Sequence, residues 1–196
     1  MKNFVYLASQ SPRRRQLLEQ IGVRYELLLA GPEEDAEALE VALPGEAPLA
    51  YVKRVTHLKL EAAMRRHQAR GLPKGPVLCA DTTVALGREI LGKPESPEDA
   101  LRILKKLSGK THRVMTAVAV GQGRRRVSSV SISTVTFAVL KPAEMKAYVA
   151  SGEPMGKAGA YGVQGLAAAH IAVIKGSYTG IMGLPVFETS ELLKQI

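Results

Sequence analysis

Phe4-Val5-Tyr6-Leu7-Ala8-Ser9-Gln10-Ser11-Pro12-Arg13-Arg14-Arg15 carries an apolar run, a short polar turn and three consecutive cations. Phe4 to Ala8 reads as a buried strand. Ser11 then supplies an N-cap, and Pro12 the favoured first position of a helix running to about Gly22. The turn therefore joins a strand to a helix, the unit from which α/β folds are built.

Arg13 and Arg14 break a local rule. Cations cost about 0.3–1 kcal/mol at a helix N-terminus, where the backbone is already positive. An anion reverses the sign: free N–H groups, the Ser11 hydroxyl and guanidinium forks together suit a phosphate chain. The alternative is a solvated basic turn, and Arg15, one turn before Glu19, fits that description as a surface pair. Arg13 and Arg14 instead precede Leu17, Leu18 and Ile21 by helical spacings and face the core.

The rest of the chain continues the mixed pattern. Tyr25 to Leu29 reads as a second strand, followed by an acidic stretch from Glu33 to Glu37 in a loop marked by Pro32, Pro44, Gly45 and Pro48. A long helix from Leu49 to about Arg70 carries an apolar stripe through Val52, Val55 and Ala62, and Lys59 points the same way. Pro76 to Leu86 is a strand region, with a short return strand after Gly87, and Ser96-Pro97 starts a helix ending near Gly109. Thr111 to Val120 and Val127 to Val139 form a hairpin around Gly121-Gln122-Gly123. A short helix after Pro142, a Gly-rich loop through Gly165, a strand near Ala167 to Ile174 and a helix near Val186 to Leu193 complete the pattern. The class is mixed α/β.

Composition narrows the function. With 196 residues and 46% hydrophobic content the chain can bury one sizeable core, as one domain or one domain of two lobes. Its 27 Lys and Arg against 18 Asp and Glu invite a nucleic-acid reading. The absence of Trp, with three Phe and six scattered Tyr, removes the stacking platforms of single-strand binders, so no specific nucleic acid is expected. A small polyanion uses the same charge. The single Cys79, within Val77-Leu78-Cys79-Ala80, reads as a buried hydrophobe. With no apolar span and no signal-like N-terminus, a cytoplasmic protein without membrane attachment is expected.

Asp81 stands inside Val77-Leu78-Cys79-Ala80-Asp81-Thr82-Thr83-Val84-Ala85-Leu86. A carboxylate there is costly to bury alone and implies a cation, a metal or a donor cluster beside it. The other reading is a turn Asp capped by the threonine hydroxyls, and the residues alone do not separate the two. The acidic loop offers a second carboxylate for a Mg²⁺ site completed by substrate phosphates, or is simply solvated. Lys59 and Lys93 are phosphate ligands or a snorkelling and a loop lysine respectively. Gly109-Lys110-Thr111 is not a P-loop, since Leu104 stands where its upstream glycine belongs. His57, His67, His112 and His170 lack zinc spacing, and His112 and His170, in strand-like segments, read as structural.

Ala8-Ser9-Gln10-Ser11-Pro12-Arg13-Arg14, Ala80-Asp81-Thr82-Thr83-Val84, Leu91-Gly92-Lys93-Pro94, Leu107-Ser108-Gly109-Lys110-Thr111-His112 and Gly180-Ile181-Met182-Gly183-Leu184-Pro185, in this order, resemble the Maf family. The resemblance implies a single domain over 1–196 with a fold similar to the inosine triphosphate pyrophosphatases, a central twisted mixed sheet flanked by helices in two lobes with a cleft between them. It implies a nucleoside triphosphate pyrophosphatase that cleaves between the α and β phosphates with a divalent metal, Mg²⁺, Mn²⁺ or Co²⁺. The loop Gly159-Ala160-Tyr161-Gly162-Val163-Gln164-Gly165 and Lys175-Gly176-Ser177-Tyr178 resemble the branch acting on dTTP and UTP. By the same resemblance Asp81 is the general base and Arg13, Thr82 and Gln164 set base preference; the mechanism this suggests has Ser11, Arg14, Lys59 and Lys93 neutralise the triphosphate, with a metal held partly by Asp81 or Glu34. Glu33-Glu34-Asp35 allows more than one register, and Gln16 stands where the family usually has Glu. The rival reading is an RNA- or nucleotide-binding regulatory module without hydrolysis. A homodimer is compatible with the pattern, which marks no interface.

Overall fold

The computed structural model describes residues 3–35 and 38–196; residues 1–2 and Ala36–Glu37, the end of the acidic stretch, lie outside the described residues. Strand β1 (Phe4–Leu7), helix α1 (Pro12–Gln20) and strand β2 (Arg24–Leu27) form a βαβ unit in which β1 and β2 pair in parallel. A one-turn 3₁₀ helix over Ala38–Glu40 leads to the long α2 (Pro48–Ala69). Strands β3 (Val77–Leu86) and β4 (Glu89–Leu91), helix α3 (Pro97–Leu107) and the hairpin of β5 (Thr111–Gln122) and β6 (Arg125–Phe137) follow. Helix α4 (Pro142–Ala150), strand β7 (Ile171–Lys175) and helices α5 (Tyr178–Met182) and α6 (Val186–Leu193) complete the chain.

All seven strands make one mixed sheet in the order β2-β1-β3-β5-β6-β7, with β4 added to the side of β3. β1 runs parallel to β2 and β3, and every other pairing is antiparallel. Period-two alternation divides β3 between two cores. Val77 and Cys79 pack with Leu60 and Ala63 of α2, and Ala85 with Val52 of the same helix. Leu78, Ala80 and Val84 join the larger cluster on the opposite face, with Leu17, Leu104 and Leu193.

The sheet has a gap that matters for the site. β1 pairs only with Val77 and Leu78 of β3, and β4 only with Val84 to Leu86. On the other side β5 pairs continuously from Val77 to Ala85. Cys79 to Thr83 therefore have no neighbouring strand on one edge among the described residues, and side chains from both faces of β3 reach the opening.

Several local expectations match closely. Ser96 caps α3 by accepting from the Asp99 N–H at 3.1 Å, Pro97 takes the first position, and Ala100, Ile103, Leu104 and Leu107 form the buried stripe. Cys79 is buried and its thiol is pushed up to about 12 by desolvation. Others change. Ala167 to His170, expected as the start of a strand, belongs to a 3₁₀ segment over Leu166–His170, where the Glu153 carboxylate accepts from the Leu166 and Ala167 N–H groups at 2.7 and 3.4 Å. His170 thus lies outside β7, while His112 is in β5 as expected. Glu19 accepts from the Tyr25 hydroxyl at 2.7 Å rather than from Arg15. Among the described residues, no helix is long and apolar enough to cross a membrane.

Candidate active site

The turn after β1 places Ser11 at the N-cap position of α1, but its hydroxyl makes no bond to the helix. Its oxygen stays available beside the two arginines. Arg13 Nε donates to the Met182 carbonyl at 3.1 Å, and Arg14 Nε to the Gly183 carbonyl at 2.8 Å. Arg14 Nη1 also donates to Ser9 Oγ at 3.0 Å. These carbonyls lie at the C-terminal end of α5, where positive charge is favoured, which offsets the unfavourable position of both cations on their own helix. Neither arginine has a carboxylate partner among the described residues. Burial lowers the proton affinity of both; at Arg14, Asp81 opposes that effect and Arg13 adds to it. Two enclosed guanidinium groups with donors to spare are a receptor for an anion.

Asp81 is not in a turn. It sits mid-strand on the α2 face of β3 and is 8% exposed. Lys59 falls within the buried stripe of Val52, Val55, Thr56, Leu60 and Ala63, so its side chain crosses to the sheet, where Nζ lies 2.6 Å from Asp81 Oδ1. The same ammonium is 2.7 Å from Glu40 Oε1, and Lys93 Nζ is 3.1 Å from Glu40 Oε2. Charges alternate along Asp81, Lys59, Glu40 and Lys93. Burial would push the Glu40 carboxyl up, but Lys59 and Lys93 outweigh it and hold it below its ordinary value. The Glu40 backbone is itself anchored, its carbonyl accepting from the Tyr51 hydroxyl at 2.7 Å.

Glu34, the carboxylate expected beside Asp81, is placed elsewhere. It binds Arg66 through both oxygens, Oε1 to Nε at 2.7 Å and Oε2 to Nη2 at 2.5 Å, and accepts from the Gly31 N–H. The Arg66 hydrogen bond above all brings its pKa to about 2. Glu40 is the carboxylate that shares Lys59 with Asp81. No spacing rule singles out Glu40, since it lies in a proline-punctuated loop without periodicity.

The far wall is the segment after α4. Lys157 Nζ donates to the Glu153 carbonyl; burial first, then Arg13, lowers its proton affinity. Gly159 has φ +71° and an added Cβ would meet Val84 Cγ1 at 2.8 Å, so the loop passes hard against β3 only because no side chain is there. Its N–H donates to the Gly92 carbonyl at 3.0 Å, tying this loop to the neighbour of Lys93. Tyr161 anchors the loop to β5 through the His112 ring nitrogen, Nε2, at 2.8 Å, with Phe137 packed against both rings. Gln164 projects at the exposed rim.

Ser11, Arg13, Arg14, Lys59, Asp81, Thr82, Lys93 and Gln164 thus line one cleft of about 490 Å³, joined by Glu40 and Lys157, which the sequence reading did not single out. A volume of this size suits a nucleotide-sized ligand. Lys157 stands two residues before Gly159, and its proximity to Arg13 is visible only in the fold.

A family model described as Maf-like protein matches residues 4–196. The chain belongs to the Maf family. This Maf chain is 64% identical over 192 residues to the dTTP/UTP pyrophosphatase of Polaromonas sp. strain JS666, covering 98% of this chain and 95% of that one. It is 62% identical over 194 residues to the dTTP/UTP pyrophosphatase of Albidiferax ferrireducens, covering 99% and 97%. Among solved structures, the Staphylococcus aureus Ham1 protein aligns at 18% identity and a TM-score of 0.43, covering 68% of the Maf chain and 70% of its own.

Two carboxylates flank Lys59 in the Maf site, and no group of three or more His, Cys, Asp or Glu side chains able to hold a metal occurs among the described residues. That donor set does not make a protein cage. Its carboxylate oxygens are of the hard kind that a divalent cation takes, with most of the coordination shell left to other ligands.

Proposed function

We propose that this protein is a nucleoside triphosphate pyrophosphatase that hydrolyses dTTP and UTP to the monophosphate and pyrophosphate. The observation that carries the reading is the buried Asp81 carboxylate held by Lys59 at the β3 gap, in one cleft with Arg13 and Arg14, which have no carboxylate partner among the described residues. Relatives at 62–64% identity bear the name of that activity.

In this reading the spare guanidinium donors of Arg13 and Arg14, the Ser11 hydroxyl and the ammonium groups of Lys93 and Lys157 neutralise and orient the triphosphate. Asp81 commits Oδ1 to Lys59, which leaves Oδ2 to take a proton from a water attacking the α-phosphorus. The new phosphorus–oxygen bond forms as the bond to the α–β bridging oxygen breaks, and pyrophosphate departs with that electron pair. Lys59 stabilises the Asp81 carboxylate before the transfer. Asp81 and Glu40 would hold a divalent cation, Mg²⁺, Mn²⁺ or Co²⁺, which when bound supplies charge neutralisation on the phosphates. Gln164 offers both donor and acceptor to the base.

Pyrophosphate release from dTTP, UTP, CTP and GTP, with Mg²⁺ or Mn²⁺, tests the reading. The expected result is preference for dTTP and UTP, a loss of about 100-fold or more in Asp81→Asn, and blurred base preference in Gln164→Ala. Nucleotide binding without pyrophosphate from any of the four would establish a binding module instead. Orthophosphate as the first product would indicate a different bond cleaved.

A further inference from the structure

Thr116 lies on β5 directly opposite Thr82 and is fully buried. Its hydroxyl is 2.6 Å from the Gly180 carbonyl and 2.9 Å from the Thr82 hydroxyl. A carbonyl oxygen can only accept, so the one hydroxyl proton of Thr116 goes to Gly180. The contact between the threonines then requires Thr82 as donor. Thr82 lines the cleft, and with its own proton spent inside the wall its Oγ1 has only lone pairs left to offer.

The acceptor that sets this direction is held in place. Gly180 N–H donates to Ser177 Oγ at 3.0 Å, and Ser177 N–H to Ser133 Oγ at 2.9 Å. A Cβ on Gly180 would meet Ser131 Oγ and Ser177 Cβ at 3.1 Å, so α5 seats its backbone directly against the sheet. The contacts to β6 thus fix the position of the Gly180 carbonyl, and the carbonyl sets the direction of the bonds through Thr116 to Thr82. Gln164 is exposed and its amide carries both a donor and an acceptor, so it contributes to base recognition without by itself fixing which polarity meets the ring nitrogen. Discrimination between uracil and cytosine needs a group whose polarity cannot reverse.

We propose that Thr116 is a positioning residue for base recognition. By accepting a hydrogen bond from the Thr82 hydroxyl it makes Thr82 a fixed acceptor, matched to the imide N–H of thymine or uracil and opposed to the ring nitrogen lone pair that cytosine presents at the same position. The inference rests on the dTTP/UTP pyrophosphatase reading and adds to it the origin of pyrimidine selectivity.

The test compares kcat/KM for UTP and CTP, by pyrophosphate release, in the unaltered protein, Thr116→Val, Thr116→Ala and Thr116→Ser. Without the Thr116 hydroxyl, Thr82 is free to turn its proton into the cleft. The UTP:CTP ratio is then expected to fall about tenfold or more in Thr116→Val and Thr116→Ala, in part through a gain on CTP, and to be retained in Thr116→Ser. Equal losses on both nucleotides, with the ratio unchanged, would reduce Thr116 to a packing residue and overturn the inference alone. No pyrophosphate from UTP with the unaltered protein would overturn the activity reading and this inference with it.

Discussion

Arg14 divides its guanidinium between structure and site: Nε goes to Gly183, Nη1 to Ser9, and the remaining donors are open to the cleft. A lysine carries the same charge without the fork and cannot serve the two protein acceptors and a phosphate together. Arg14→Lys is therefore expected to lower kcat/KM for dTTP by about 10- to 100-fold and to lower the melting temperature, read by pyrophosphate release and a thermal melt. Retained activity within a few-fold would mean that charge alone matters there. Much of this was legible in the chain, because two cations in a first helical turn ahead of Leu17 and Leu18 violate helix electrostatics unless something compensates them. The compensating carbonyls of Met182 and Gly183 were not legible, being 169 residues away. Lys59 was readable for a local reason, its place in the stripe with Val55. Glu40 has no such marker.

At the level of elements, β5 and the loop around Tyr161 are joined by a histidine that stays neutral. Burial lowers the His112 pKa from its ordinary 6.5 to about 4. The unfolded chain then binds this proton at a higher pH than the folded one. Its contribution to stability is complete above about pH 6.5 and is lost as pH falls toward 4, amounting at most to about 3 kcal/mol. Urea unfolding at pH 7.5 and pH 5 should show a stability loss about 2 kcal/mol larger in the unaltered protein than in His112→Phe. An equal loss in both would assign the acid sensitivity to other groups. Element boundaries followed local signals wherever those were strong, as in α3 with its Ser96 cap and in α6, found at Val186–Leu193 as expected. They failed where tertiary contacts took over: Glu153 turns 166–170 into a 3₁₀ segment, and α5, five residues long with a glycine in it, depends on Ser177 and on packing against the sheet.

For the whole molecule, the net charge is +9, and the cleft shares in it, lined by the cations Arg13, Arg14, Lys59, Arg66, Lys93 and Lys157 beside the carboxylates Glu40 and Asp81. Raising ionic strength from about 0.05 to 0.5 M is expected to raise KM for dTTP about fivefold while changing kcat less than about twofold, since screening weakens capture of a polyanion more than chemistry in the enclosed site. A kcat falling in parallel with capture would place the sensitive charges at the reacting bond instead.

The chain by itself determined the α/β class and most of its strands and helices, and local signals marked Arg13, Arg14, Lys59 and Asp81, whereas Thr82 and Gln164 were marked only by the family resemblance. The class and the elements are consequences of short-range periodicity, caps and turn residues, which act within one or two helical turns and are written contiguously. Only the tertiary structure decided that Asp81 and Thr82, on opposite faces of one strand, open into the same cleft, because that requires the gap between β1 and β4. It also decided that Glu40 rather than Glu34 shares Lys59 with Asp81, and that the Thr82 proton points inward. Each of these depends on which distant groups meet: a carboxylate 19 residues before a lysine, and a carbonyl 64 residues after a threonine. Such pairings are set by the packing of the complete sheet and its helices, which no local pattern encodes.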